Sequence, residues 1–318
     1  MIIHLDNVDL SSRSGPNSFA LRFSSQIKKL GHSITRDGKS ADLSLVFIEK
    51  SGAPLAKKII QRLDGIWFSP DQFHVLNTGI KNTYDSVDHV IWQSEFDMKM
   101  TTNWWSNPKS GSIVRNGVPK NYKVDEEIKR ILQHLKKKHE KLFVCSANWH
   151  PQKRLNENIS LFRHLKSFYP TACLIVMGSN AKVENNEEDI YLTGSITHDA
   201  CMQIFQECDW MLHLAWLDHC PNTVIEAITC GVPVICTEDG GTKELVSGFG
   251  LVLKENRTYR YQLADYDAPP AFDVSQIANP LPALDKLEKP QDLSIEKSVT
   301  EYLSVFKKIL GETQNVRK

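Results

Sequence analysis

The chain lacks the features that would mark it as secreted, membrane-spanning or built on a common nucleotide-binding loop. Its seven cysteines are an odd number and no two have CxxC spacing. That pattern disfavours a zinc site and a disulfide framework, and predicts free thiols in a reducing cytosol. Without an export signal, the sequons at Asn158 and Asn256 carry little weight. No apolar run approaches the ~18 residues of a membrane span. The opening MIIHLDNVDL has no basic start and is interrupted by Asp6 and Asp9, so no signal peptide is expected. Lys plus Arg equals Asp plus Glu at 38 each. A neutral chain has no mean field to grip nucleic acid or an anionic membrane. There is no GxxxxGK[ST] loop, no GxGxxG and no GxSxG elbow, which argues against P-loop, dehydrogenase and serine-hydrolase chemistry. Internal repeats and low-complexity tracts are absent.

What remains is an ordinary globular composition, 41% hydrophobic and 24% charged, over 318 residues. At roughly 150 residues per domain this favours two domains. Met1 to Leu5 reads as a strand. Ser11 to Asn17 reads as a turn containing Gly15 and Pro16, and Phe19 to Leu30 as a helix stopped by Gly31. LSLVFI at Leu43 to Ile48 is the near-continuous run of a strand buried on both faces of a parallel sheet. Strands follow at Val87 to Trp92 and Ser112 to Val114, with helical patterns between them. The charged segment Asp125 to Lys141 marks a boundary.

A second series begins at Leu142 to Ala147. It continues through helix Leu155 to Phe168, strand Ala172 to Met177, strand Ile190 to Leu192, helix Asp199 to Glu207 and strand Trp210 to Leu214. Helix Asn222 to Cys230, strand Pro233 to Cys236 and a short helix near Lys243 to Val246 follow. Strand and helix alternating in this way predict α/β domains. Five of 14 prolines fall between Pro269 and Pro290, so 255 to 290 reads as irregular surface chain. An amphipathic helix closes the sequence at about Ser294 to Leu310. The expected divisions are 1–125, 126–290 and a closing helical segment, 291–318.

The most informative stretch is DHCPNTVIEAITCGVPVICTEDGGTKE, Asp218 to Glu244. Pro221 suits a helix start, which would aim the N–H groups of Asn222 and Thr223 at an anion. Gly240 and Gly241, before Thr242, allow close backbone approach and a second set of exposed N–H groups. Glu226, about one turn into the helix, can accept hydrogen bonds from a vicinal diol such as ribose. It can equally be a solvated or salt-bridged helix glutamate.

Asp218, seven intervening residues, Glu226, then Gly-Val-Pro-Val and Gly-Gly resemble the donor-site signature of the family 4 retaining glycosyltransferases (glycosyltransferase group 1). LIVMGS at Leu174 to Ser179, LTGSI at Leu192 to Ile196, VRNGVP at Val114 to Pro119 and GPNSFALRFSSQIKKLGH at Gly15 to His32 resemble further segments of that family. The resemblance is clear over about 140–250 and weaker over 1–120. It implies the GT-B fold: two Rossmann-like, doubly wound domains facing across a cleft, with the closing helix returning to the first.

The resemblance also implies roles. Glu226 would hold the ribose, Asp218 the donor sugar and Lys153 the diphosphate, offsetting charge on the departing phosphate. Ser195 and Ile196 would meet the nucleobase through their backbone. Asn222, Thr223, Gly240, Gly241 and Thr242 would cradle the diphosphate. The first domain would carry the acceptor side, with Gly15, Pro16 and Asn17 as candidates to face the donor phosphate or the acceptor and Asp64 to orient an acceptor hydroxyl. Asp64 lies in an unusual polar and aromatic cluster, expected to follow a helix. Trp67, or Trp104 with Trp105, is a candidate to stack on a sugar.

Two departures stand out. Asp218 replaces the family's glutamate. Ser146, Ala147 and Asn148 stand where Gly-Arg is usual, so Arg154 either takes over the phosphate contact or is a structural ion pair.

The implied reaction is transfer from a UDP- or GDP-sugar to a hydroxyl of a glycan or other acceptor, with retention. No metal and no separate cofactor are expected, and no nucleic-acid partner. The expected location is cytoplasmic, with peripheral membrane association left open. A nucleotide-sugar epimerase of the same fold and a degenerate nucleotide-sugar-binding or scaffold protein are the alternatives.

Overall fold

The computed structural model of the chain describes residues 1–12, 15–183 and 187–311. It divides into two compact α/β units. The first comprises Met1–Pro119, Tyr261–Ala264 and the segment from Leu293 onward, the second Lys120–Arg260 and Asp265–Asp292.

The first unit holds strands β1 (Ile2–Asp6), β2 (Ser33–Thr35), β3 (Leu43–Phe47), β4 (Ile59–Leu63), β5 (His89–Trp92) and β6 (Gly111–Ile113), and helices α1 (Gly15–Lys29), α2 (Phe73–Leu76), α3 (Thr78–Ser86) and α4 (Glu95–Trp104). All strand pairs are parallel, in the order β2-β1-β3-β4-β5-β6. β3 is buried along its whole length, as its unbroken apolar run requires.

β4 corrects the expectation that Arg62 to Ile66 follows a helix. The strand is hidden in the sequence because IIQRL places two polar residues in the middle of a sheet. Gln61 Nε2 donates to the carbonyls of Ile48 (2.6 Å) and Ile80 (3.2 Å). Arg62, fully buried, lies 4.5 Å from the Phe19 ring centroid and 5.0 Å from that of Phe47. α1 also starts earlier than expected. Gly15 to Asn17 form its first turn rather than a loop, and Pro16 is tolerated there because a first-turn N–H has no helical partner. Part of the expected turn, residues 13–14, lies outside the described residues.

The second unit opens on α5 (Glu126–Lys138), capped by the Asp125 carboxylate, which accepts from the Glu127 and Ile128 amides. It continues with β7 (Leu142–Ser146), α6 (Leu155–Leu165), β8 (Cys173–Met177), β9 (Ile190–Gly194), α7 (His198–Glu207), β10 (Trp210–His213), α8 (Asn222–Thr229), β11 (Val234–Thr237), α9 (Thr242–Val246) and β12 (Gly250–Leu253). The sheet is again parallel, in the order β12-β11-β10-β7-β8-β9. Strands run outward in both directions from β7 and β10, so the topological switch point lies between those two. Neither β2 nor β12, the first sheet's and this sheet's edge strands, stood out in the sequence, because both are short and only partly buried. Residues 255–290 are largely irregular. Phe272, Val274, Ile277, Leu281 and Leu287 from that stretch pack on the second core.

The closing helix α10 (Ile295–Leu310) packs on α1. Tyr302 and Phe306 lie against Phe19 and Phe23, with the Phe23 and Tyr302 rings 5.3 Å apart edge to face. Ser294 caps α10 by accepting from the Lys297 amide, and Gly311 ends it in the left-handed conformation, φ +77°. All seven cysteines are unbridged. Among the described residues no helix is long and apolar enough to cross a membrane.

Candidate active site

Both halves of the candidate site in the second unit grow from the two strands at its switch point. The chain leaving β7 passes through Ala147 and Asn148. Gly178 presses on it with φ +107°, and a Cβ there would run into the Ala147 carbonyl. Asn148 Oδ1 accepts from Ser179 Oγ (2.6 Å) and Asn180 Nδ2 (3.0 Å), so the position that departs from Gly-Arg serves to tie two loops together. A single 3-10 turn, Pro151–Lys153, follows, and Arg154 then adopts a left-handed conformation, φ +53°, before α6. That reversal sends two adjacent cations apart.

Lys153 reaches the Asp218 carboxylate beyond β10, with side-chain exposures of 20% and 12%. Arg154 turns inward. Its guanidinium forks onto Glu255 (2.7 and 3.1 Å) and also donates to the Pro270 and Leu214 carbonyls. Both side chains of that pair have zero exposure. Of the two readings open for Arg154, the ion pair is the one the structure displays. No face of the guanidinium reaches solvent for a phosphate to meet.

Asp218 is held from below by its backbone. Leu217 is left-handed, φ +53°, and turns the chain back over the end of β10. Asp218 then bridges in parallel to Gly240, and the Gly241 amide donates to the Asp218 carbonyl at 2.7 Å. This amends the expectation that the Gly-Gly turn offers a free set of N–H groups, since Gly241 spends its own on Asp218. On the side chain, Lys153 Nζ and His213 Nε2 meet the same oxygen, Oδ2, the latter at 3.4 Å. Burial alone would raise the carboxyl; the Lys153 ammonium and His213 outweigh it and hold Asp218 well below the usual carboxylate range. Burial lowers His213 against the opposing pull of the Asp218 carboxylate, and Lys153 lowers it further. His150, nearby, is likewise lowered by burial and by Lys153.

Glu226 is buried on α8, and His198 Nδ1, at the start of α7, stands 3.3 Å from its Oε1. Asn222 and Thr223 open α8, half-buried, behind Pro221 at the cap. Thr242 is buried, and its Oγ1 has no partner among the described residues. Asp239, beside Gly240, is pushed up to about 6 by burial and by the neighbouring Glu255 and Glu238 carboxylates. Ser195 is exposed and Ile196 half-buried, just past β9. His213, His198, Glu255 and Asp239 were not singled out from the sequence. His198 and Glu255 come from elements distant in the chain from Glu226 and Arg154, whereas His213 lies only five positions from Asp218.

In the first unit Asn17 Oδ1 accepts from the Asp9 amide (3.1 Å), a brace across the turn that begins α1 beside Gly15 and Pro16. Asp64 pairs with buried Arg62, which also donates to Asn116 Oδ1 (2.8 Å), and Asn116 Nδ2 donates to Gln93 Oε1 (2.6 Å). These residues follow the carboxyl ends of β4, β5 and β6, the edge where open parallel sheets bind ligands. Trp67 and Trp104 are exposed at 44% and 39%, whereas Trp105 is core.

Residues 126–259 match the model of the family described as Glycosyl transferases group 1. The matched segment lies within the second unit. No curated protein matches the chain in sequence. Among solved structures, the chain resembles WaaG, a glycosyltransferase involved in lipopolysaccharide biosynthesis, at 12% identity over 99% of this chain and 96% of that one, TM-score 0.62. It resembles Anabaena HepE in complex with UDP-glucose at 15% identity over 96% and 100%, TM-score 0.62. Sucrose-phosphate synthase from Thermosynechococcus elongatus matches at 12% identity over 98% and 100%, TM-score 0.67. At these identities the likeness is one of fold, and the fold is GT-B. The matched segment contains Lys153, Asp218, Glu226 and the Gly240-Gly241 turn, and family match and fold together support sugar transfer.

Proposed function

We propose that the chain is a retaining glycosyltransferase that moves a sugar from a UDP- or GDP-linked donor to a hydroxyl of a glycan or other acceptor. The observation that carries this reading is the meeting of Lys153 and Asp218 across the switch point of the second sheet, where doubly wound sheets bind nucleotides. Lys153 supplies positive charge to the phosphate that leaves. Asp218, kept ionised, accepts a hydrogen bond from the donor sugar. Glu226, steadied by His198, accepts from the ribose hydroxyls. The N-terminus of α8 and the unpartnered Thr242 hydroxyl face the diphosphate. The acceptor oxygen attacks the anomeric carbon on the face the phosphate leaves, through an oxocarbenium-like state. The departing phosphate oxygen takes the acceptor proton. Charge compensation comes from Lys153 and backbone amides, so transfer proceeds without a metal. The UDP-glucose complex of HepE makes UDP-glucose the first donor to try.

Asn148 favours a second reading, a protein that binds a nucleotide sugar without turning it over, because its carboxamide cannot supply the missing arginine's charge. One set of measurements separates the two: thermal stabilisation by UDP- and GDP-sugars, with and without magnesium, followed by nucleotide release on adding acceptors. Stabilisation with release supports transfer, and stabilisation without release supports the second reading. Glu226→Ala is expected to weaken nucleotide-sugar binding by about tenfold or more, the cost of losing hydrogen bonds to a charged group. Unchanged donor affinity would remove the ribose assignment.

A further inference from the structure

We infer that His213 is a positioning residue for Asp218, holding the carboxylate so that Oδ2 is committed to Lys153 and Oδ1 is left for the donor sugar. This rests on the transferase reading of the site and assigns a function to a residue that reading leaves unused.

His213 is the last residue of β10, buried among neighbouring strands with its Cα in register with Cys236 of β11. Only four residues separate it from Asp218. The left-handed Leu217 folds that short loop back, so the carboxylate lies over the strand it has just left. The imidazole Nε2 is buried and makes no hydrogen bond of ordinary geometry; Asp218 Oδ2 lies 3.4 Å from it, within reach of one. Lys153 Nζ takes the same oxygen from the β7 side. Among the described residues no side chain or amide is seen to engage Oδ1. Contacts on one oxygen from two directions restrain the rotation of the carboxylate and so the aim of its second oxygen.

The choice of histidine has a physical reason. The groups around this carboxylate are the Lys153 ammonium and the imidazoles of His213 and His150. A lysine or arginine at 213 would bring a second permanent cation against Lys153 and weaken its hold. A neutral imidazole in its Nε2–H form supplies a donor without that repulsion. Asp218 is also one methylene shorter than the glutamate common at this point of the signature. Its reach depends correspondingly more on how it is held.

The test uses the full chain, UDP as the binding probe, and UDP released from UDP-glucose without added acceptor as the rate. His213→Gln keeps an N–H donor close to the imidazole Nε2 position. His213→Asn keeps polarity but cannot reach. UDP makes no contact through the sugar, so both variants are expected to bind it as the parent does. The release rate is expected to stay within about threefold for Gln and to fall about tenfold or more for Asn, the scale of one hydrogen bond to a charged group. Equal rates in the two variants, or a loss of UDP affinity alongside the rate in Asn, would overturn the positioning role. A parent protein that neither binds UDP nor releases it from UDP-glucose would instead overturn the UDP-glucose transferase reading on which the inference stands.

Discussion

The Gly241 amide donates to the Asp218 carbonyl at 2.7 Å, while Gly240, at φ +110°, bridges to Asp218 in parallel. The Gly-Gly turn is therefore the backbone support of the residue proposed to meet the donor sugar. A Cβ at Gly240 would lie 2.8 Å from the Asp218 carbonyl oxygen and 3.0 Å from its nitrogen. Neither is a flexible group. Gly240→Ala is expected to cost about 1–3 kcal/mol from the left-handed backbone and the clash together. It should also displace Asp218, so that sugar-nucleotide turnover falls by more than the loss of folded protein explains. Comparing melting temperature with rate per folded molecule checks this, and a variant with parental rate would show that Asp218 does not depend on the turn.

Removing Lys153 changes the sign of a pH dependence. In the parent, Asp218 is depressed below its ordinary 3.8 by Lys153 and His213 against the opposing effect of burial. A depressed carboxyl stabilises the fold at every pH above the ordinary carboxylate range, and that contribution is lost only as pH falls through the lower folded value. Lys153→Met leaves the charge in place without its main partner, at an expected cost of about 3 kcal/mol near neutrality. Burial then dominates. The Asp218–His213 pair takes up a proton on acidification, and the variant recovers stability as pH falls below neutrality. Melting temperature against pH reads this directly. Parallel curves for parent and variant would mean the ion pair does not form.

Arg154 and Glu255 give a clean test of which adjacent cation serves the site. The pair is bidentate and without exposure, so Arg154→Met strands a carboxylate in the core and is expected to cost about 3–5 kcal/mol. Arg154→Met with Glu255→Met removes both charges and is expected to recover most of that loss. Nucleotide affinity in the double variant should remain that of the parent. A large drop in affinity with stability restored would return Arg154 to the diphosphate.

Those residues show what a sequence discloses. β3, β7, β8 and β11 were legible because a strand buried on both faces reads as an apolar run. α8 and its flanking loops were legible because proline and glycine punctuate them. β4 was not, since Gln61 and Arg62 break the run and find their partners at Ile48, Ile80, Asp64 and Asn116. Asp218 and Glu226 came from their spacing in a signature, and Lys153 from the same family resemblance. His213 and His198 carry no spacing signal, because a folded-back loop brings Asp218 over His213 and helix packing brings His198 to Glu226. The direction of Arg154 was undecidable from its neighbours in sequence; one left-handed backbone residue settles it.

Asp64 carries the last prediction. It pairs with Arg62, a cation of zero exposure, while its own side chain is 18% exposed. The same guanidinium donates to the Asn116 amide oxygen and lies near two aromatic faces. Asp64→Ala takes a carboxylate away from a buried cation, at an expected cost of about 3 kcal/mol, and Asp64→Asn, which keeps an acceptor oxygen, should cost less. The effect should be the same with and without an acceptor sugar if Asp64 only stabilises the first unit. If Asp64 also orients an acceptor hydroxyl through its exposed edge, Asp64→Asn should raise the acceptor KM while donor affinity and donor hydrolysis remain parental. Measuring transfer and donor hydrolysis side by side on Asp64→Asn separates the two: matched losses in both would remove Asp64 from the acceptor site and leave it as the buried arginine's counter-ion.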